Sequence, residues 1–207
     1  MNITIDGNSY PVNEGETVLT VARRAGIDIP ALCYHDCVLE TPPTSCLVCL
    51  VKINGRFVPS CATKVADGLA AESETDEVKQ LRRTALELLL SEHRGNCGTC
   101  TGRKKCKLLQ CAAKAKIKIK EWMLEPDGEV LHSSEFDFEQ GKCIKCGLCI
   151  AVTKKNNEEI GLAFISRGYD VHVDIPFDEP LEKALPKSAA EACGVCPTGA
   201  LTFFDNR

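Results

Sequence analysis

Four soft donors crowd into fourteen residues near the middle of the chain: His93, Cys97, Cys100 and Cys106, in the spacing H-x3-C-x2-C-x5-C. Imidazole nitrogen and thiolate sulfur both ligate soft or borderline metal centres. The two residues between Cys97 and Cys100 make one tight turn, so both thiols can face the same centre. Gly95, Gly98 and Gly102 leave the backbone room to wrap around it. Taken alone, the segment suits a structural zinc ion with three thiolates and one imidazole as well as it suits an iron–sulfur cluster. The cysteines on either side decide between them.

There are fourteen cysteines among 207 residues. A secreted chain would use them in disulfides, but the N-terminal stretch MNITIDGNSY has neither the basic nor the apolar region of a signal peptide. No apolar run is long enough to span a bilayer. The expectation is a cytoplasmic protein whose thiols hold metal. At 44% hydrophobic and 26% charged residues the chain is globular with a modest core, and clusters would cross-link its small lobes. A net charge of −4 and an aromatic content of 5% argue against nucleic-acid binding and against an anionic membrane surface.

Residues 1–75 are expected to form a small mixed lobe. Residues 2–6 and 10–12 read as strands joined through Asp6-Gly7-Asn8. Val18, Val21, Ala22 and Ala25 have helical spacing, and Gly26 follows where a helix-ending glycine belongs. Residues 50–53 and 56–58 flank the turn dipeptide Asn54-Gly55, and 69–72 reads as a last strand. Two hairpins enclosing a helix predict a β-grasp-like sheet. Its loops carry Cys33, Cys46, Cys49 and Cys61 in the spacing C-x12-C-x2-C-x11-C. Four thiolates are what a [2Fe-2S] centre requires, whereas zinc usually pairs two close CxxC knuckles, and here Cys33 and Cys61 stand apart.

Residues 75–92 read as a helix, with Thr75 as N-cap, Asp76 and Glu77 in the first turn, and an apolar stripe of Val78, Leu81, Ala85, Leu88 and Leu89. This rod is expected to carry the chain away from the first lobe and deliver His93 at its end. Lys116, Lys118 and Lys120 alternate with Ile117 and Ile119, the pattern of a half-buried strand with a solvated face. The basic run that continues from Lys107 is also a possible docking patch for an acidic partner. Cys111 reads as a small buried residue, and 188–192 as a short capped helix leading to Cys193.

The C-terminal segment carries Cys143, Cys146 and Cys149 in a C-x2-C-x2-C run, and much later Cys196 followed by Pro197. Three clustered cysteines and a distant Cys-Pro hold a cubane in bacterial ferredoxins. Position 153 is threonine where a two-cluster ferredoxin needs another cysteine, and only Cys193 precedes Cys196, so one cubane is expected here. Cys193 is the alternative to Cys196 as fourth ligand.

These segments resemble a known family. Ile29-Pro30-Ala31-Leu32-Cys33-Tyr34-His35, followed by Thr44-Ser45-Cys46-Leu47-Val48-Cys49, resembles the N-terminal [2Fe-2S] domain of three groups. They are the large iron–sulfur subunit of respiratory complex I, the diaphorase subunits of NAD-linked [NiFe] hydrogenases, and the N-terminal region of [FeFe] hydrogenases. By this resemblance His93, Cys97, Cys100 and Cys106 are the ligands of a histidine-bearing [4Fe-4S] cluster. Phe164-Ile165-Ser166-Arg167-Gly168 is similar to the same proteins. The chain departs from them in a longer first loop, Cys37-Val38-Leu39-Glu40-Thr41-Pro42-Pro43, and in Leu47 where arginine is frequent. Cys37 is the alternative to Cys33, which stands in the matching Leu-Cys-Tyr-His context.

The expected architecture is therefore α+β. A β-grasp [2Fe-2S] domain at 1–75 is followed by a helical linker with the histidine-ligated [4Fe-4S] segment at 76–135 and a single-cluster, bacterial-ferredoxin-like lobe at 136–207. Three clusters in series make an electron wire. No GxGxxG follows a strand, no P-loop is present, and only eleven residues follow Cys196, so no nucleotide-binding or substrate-converting domain is expected. The resemblance implies the iron–sulfur subunit of a soluble NAD(P)-linked hydrogenase, placed between a flavoprotein NAD(P)H-binding subunit and the catalytic subunit. Related subunits of an NAD-dependent formate dehydrogenase or an electron-bifurcating complex share the same motifs. A multi-zinc interaction protein and a free-standing ferredoxin are the readings from other classes.

Overall fold

A turn that few side chains tolerate starts the first sheet. Asp6 and Gly7 take φ of 50° and 81°, folding β1 (Asn2–Ile5) back onto β2 (Asn8–Pro11). The computed structural model of the chain describes residues 1–36, 38, 42–122 and 124–204. Helix α1 (Val18–Arg24) opens with a capping box between Thr17 and Thr20. It closes with Gly26 N donating to Arg23 O and Ile27 N to Ala22 O, and Gly26 stands at φ 76°. A second tight turn at Asn54-Gly55 joins β3 (Leu50–Ile53) to β4 (Arg56–Pro59), and β5 (Ala70–Glu72) follows. The sheet order is β2-β1-β5-β3-β4, with β1 and β5 parallel and the other pairs antiparallel. The sheet and α1 bury Ile3, Ile5, Val18, Leu19, Val21, Ala22 and Val51 in one core. The Asp6 carboxylate accepts from Ser73 N at 2.6 Å and from Ser73 Oγ at 2.5 Å, which ties the end of β5 to the first turn.

Helix α2 (Asp76–Glu92) is capped by Thr75, whose hydroxyl oxygen accepts from Val78 N at 3.3 Å. The helix does not carry the chain away as a free rod. Its buried line is Val78, Arg82, Ala85, Leu86 and Leu90, while Leu81 and Leu88 face solvent. Arg82 replaces the expected leucine on the inner face because its Nε donates to Leu50 O at 2.8 Å, binding the helix to β3. The chain then passes through the ligand turn to α3 (Lys107–Lys114).

The expected strand over 116–120 is not formed. Instead Lys116 takes φ 54°, Lys116 N donates to Ala113 O and Ile117 N to Ala112 O, the closure that ends a helix with a left-handed residue. Lysine fills the place where glycine is usual, and Ile117 is buried by that closure rather than by strand pleating.

The remaining elements are β6 (Val130–His132), β7 (Phe136–Glu139), α4 (Leu148–Lys155), β8 (Ala163–Ile165), β9 (His172–Asp174), α5 (Leu181–Ala184), α6 (Ala189–Val195) and β10 (Leu201–Phe203). Strands β10, β7 and β6 form one antiparallel sheet, with Leu201 opposite Phe138, and β8 pairs with β9. A second core runs without interruption through Leu86 and Leu90 of α2, Leu108 of α3, Phe138, Leu148 and Leu185. It also takes in Leu32, Cys33, Cys46 and Val48 from the first lobe's loops. Truncating Leu86, which is fully enclosed in this core, to alanine should cost about 2–5 kcal/mol. A urea titration of the holo-protein would show this as a lower midpoint with an unchanged slope.

Candidate iron–sulfur centres

The thirteen described cysteines are all free thiols, and Cys37 lies outside the described residues. Cys33, Cys46, Cys49 and Cys61, drawn from three loops of the first lobe, are all buried and are linked thiol to thiol in the order Cys46, Cys33, Cys61, Cys49. Hydrogen bonds from Cys46 and then Cys61 hold the Cys33 thiol well below its ordinary pKa, and Cys61 does the same for Cys49. Cys46 and Cys61, the donors in those bonds, are pushed up by the same contacts and by burial. The knuckle between Cys46 and Cys49 turns at Leu47, held at φ 52° with its side chain largely exposed. The four sit on the seam of the two cores, since Cys33 and Cys46 belong to the second and Cys49 and Cys61 to the first.

His93, Cys97, Cys100 and Cys106 line a second, small cavity. His93 follows the last turn of α2, and its Nδ1 lies 3.1 Å from Lys142 O. A carbonyl only accepts, so Nδ1 carries the proton and Nε2 is left bare for a metal. Burial lowers the pKa of the ring, which keeps the imidazole neutral, the form that ligates. Leu109 N donates to Cys106 Sγ at 3.4 Å, and burial pushes the Cys106 thiol up.

Cys143, Cys146, Cys149 and Cys196 line a third small cavity. The β7–β10 pairing brings them together across the chain, because β7 leads into Cys143 and β10 follows the Cys196 turn. Glu139 N donates to Ala200 O at 2.8 Å and closes that frame. Between the cysteines, Lys145 and Gly147 both adopt positive φ, 55° and 76°, turning the thiols inward. Lys145 N donates to Cys143 Sγ at 3.4 Å. Burial pushes the Cys143 thiol up to about 11, the Cys146 thiol further, and the Cys149 thiol well above its ordinary value. Cys193 and Cys111 line neither cavity, and burial raises the pKa of both.

The donor sets fit iron–sulfur clusters. Each set has four nitrogen or sulfur donors, and among the described residues no carboxylate lines the second or third cavity. Buried thiols with raised pKa values form thiolates only when a cation compensates the charge, and iron supplies it.

Two supports were not anticipated. Gly141, just before Lys142, has no space for a side chain, since a Cβ there would stand 1.8 Å from Asp127 O. That close approach lets Arg94 N donate to Gly141 O at 2.7 Å and clamps the two segments that meet at His93. Gly102 and Gly199 are packed backbone to backbone, and a Cβ on Gly199 would lie 2.7 Å from Cys100 Sγ. The only trace of these in the sequence is a glycine beside each ligand motif.

Known proteins extend this picture. Residues 1–76 match the family model for a 2Fe-2S iron–sulfur cluster binding domain, and residues 82–120 match the NADH-ubiquinone oxidoreductase-G iron–sulfur binding region. The NAD-reducing hydrogenase HoxS subunit gamma of Cupriavidus necator is 31% identical over 97% of this chain and 86% of its own length. The NADP-reducing hydrogenase subunit HndD of Solidesulfovibrio fructosivorans is 34% identical over 97% of this chain, which spans only 36% of that longer protein. A crystal structure of NAD+-reducing [NiFe]-hydrogenase in the H2-reduced state contains a chain that superimposes with a TM-score of 0.88 at 30% identity, covering 99% of this chain and 88% of that one. This chain belongs to the family of iron–sulfur subunits that includes HoxS subunit gamma. Among the described residues, no helix is long and apolar enough to cross a membrane.

Replacing Gly199 by alanine drives a methyl group against the Cys100 thiol. If His93, Cys97, Cys100 and Cys106 hold a [4Fe-4S] cluster, the variant should lose it selectively, seen as about four fewer irons per chain with the [2Fe-2S] visible spectrum retained.

Proposed function

We propose that this chain is the electron-transfer subunit of an NAD(P)-linked oxidoreductase complex of the hydrogenase type, with no substrate-converting site of its own. The observation that supports the reading is the spacing of twelve soft donors in three sets of four, two of which each line one cavity while the third is linked thiol to thiol. One [2Fe-2S] cluster would be held by Cys33, Cys46, Cys49 and Cys61. One [4Fe-4S] cluster would be held by His93, Cys97, Cys100 and Cys106, and a second by Cys143, Cys146, Cys149 and Cys196. The domains correspond to residues 1–75, 76–135 and 136–207, the last being a lobe of the bacterial ferredoxin type.

When bound, the clusters accept and release single electrons. The residues of this chain ligate, insulate and bias those electrons, and none is placed for acid–base or nucleophilic work. The arrangement supports a series with the C-terminal site in the middle. On one side, a Cβ on Gly147 would touch Pro43 at 3.5 Å, and the Cys33 thiolate is among the charges felt by Cys146. On the other, Lys142, the neighbour of Cys143, receives the His93 hydrogen bond. By likeness to the hydrogenase subunits, the [2Fe-2S] end faces a flavoprotein NAD(P)H-binding subunit, and the two cubanes pass electrons toward the catalytic subunit. A cytoplasmic location accords with this role.

Low-temperature EPR of anaerobically purified, dithionite-reduced protein tests the reading, with iron and sulfide quantified. One [2Fe-2S] and two [4Fe-4S] signals are expected, with about ten irons per chain. Zinc in place of iron, with no paramagnetic signal, would overturn it. Substituting His93→Cys adds a negative charge to the second cluster's ligand shell, so its midpoint potential should fall while the [2Fe-2S] potential stays fixed.

A further inference from the structure

The backbone carbonyl of Lys142 holds a position that the ligand assignment leaves unexplained. It lies between the two cubane sites and faces both. From one side it accepts the Nδ1 hydrogen bond of His93 at 3.1 Å. From the other it accepts the hydroxyl of Thr198, also at 3.1 Å, in a fully buried bond. Its carbon is bonded directly to the nitrogen of Cys143, so the same peptide unit continues into a ligand of the third cavity. The nitrogen of that peptide donates to Gln140 O at 2.9 Å, which fixes the plane of the group.

Thr198 is equally constrained. It lines the third cavity and is almost completely buried. Its oxygen already accepts from Ala200 N at 3.2 Å. That leaves the hydroxyl one proton to give, and two acceptors lie in range. Lys142 O is at 3.1 Å, and the Cys196 Sγ at 3.7 Å. A hydroxyl has a single proton, so a gain at the sulfur is a loss at the carbonyl.

Resting on the ligand assignment proposed above, we infer that the Lys142 carbonyl is a shared hydrogen-bond junction between the two cubane sites. Thr198 is the positioning residue that sets the redox poise of both. Two donors compete for one oxygen. When the Thr198 hydroxyl is engaged there, the carbonyl is a weaker acceptor for His93, and the imidazole is a correspondingly weaker electron donor to its iron. When the hydroxyl turns toward Cys196, the sulfur gains a hydrogen bond, which favours the reduced form of that cluster. The carbonyl is then free to bind the His93 proton more strongly, which disfavours reduction of the second cluster. An electron arriving on the C-terminal cubane thus makes the histidine-bearing one harder to reduce through a rotation of one buried hydroxyl.

Redox-titrated EPR on the intact complex tests this with two variants. Thr198→Val keeps the shape and deletes the hydroxyl. Thr198→Ser restores the hydroxyl. In the valine variant both cubane potentials should fall. The C-terminal cluster loses its donor near Cys196, and the second cluster meets a more basic imidazole. The g-values of the histidine-bearing cluster should also shift, although Thr198 does not line its cavity. The serine variant should return both potentials and the g-values to those of the unaltered protein.

A valine variant that moves only the C-terminal potential, or neither, overturns the junction. So does a serine variant that behaves like valine. If valine prevents cluster loading, Thr198→Ala removes the hydroxyl without the second methyl, and the same comparison applies to it. Absence of two cubane signals in the unaltered protein would instead overturn the ligand assignment, so the two failures are distinct.

Discussion

The structure depends on the cost of burying a thiolate. A sulfur anion removed from water is destabilised unless a positive charge stands against it, and here burial pushes the Cys143, Cys146 and Cys149 thiols upward together. No lysine or arginine side chain lines that cavity to serve as a counterion. The surrounding residues, Phe138, Ile144 and Leu201 among them, supply insulation instead. A fold of this kind is stable with its metal in place, because the cluster discharges the thiolates and cross-links loops that share little apolar surface.

Each site manages that cost differently. In the first, four thiols from three loops are fully enclosed at the seam of the two cores. In the second, a neutral imidazole replaces one sulfur, and two of its cysteines, Cys97 and Cys100, remain only half-buried. In the third, depth and backbone amides carry the load. Ligand charge, hydrogen bonds to sulfur and solvent access are the levers that separate cluster potentials, and the chain varies all three from one end to the other.

The ligand groupings proposed above rest on the spacing that metal chemistry imposes, and spacing survives without knowledge of the fold. The β-grasp sheet was legible for a similar reason. Asn54-Gly55 and Asp6-Gly7 need positive φ, and the apolar residues of α1 repeat at helical intervals. The inner face of α2 was misjudged because Arg82 is polar by composition, yet it is buried by a bond to Leu50 O that no local pattern announces. The alternating lysines at 116–120 imitated a strand, but Lys116 accepted a left-handed conformation that usually belongs to glycine. The contacts of Lys142, Gly141 and Thr198 were invisible because each joins residues far apart in the chain, and their side-chain types carry no signature of the role.

The packing of Gly199 against Gly102 and Cys100 has a consequence for the order of events during synthesis. His93 to Cys106 emerge from the ribosome early, but the wall of their cavity is completed by a residue made ninety-three positions after Cys106. On the ligand assignment proposed above, the Cys196–Gly199 turn supplies a ligand to one centre and closes the wall of the other, so neither site is complete before that turn is in place.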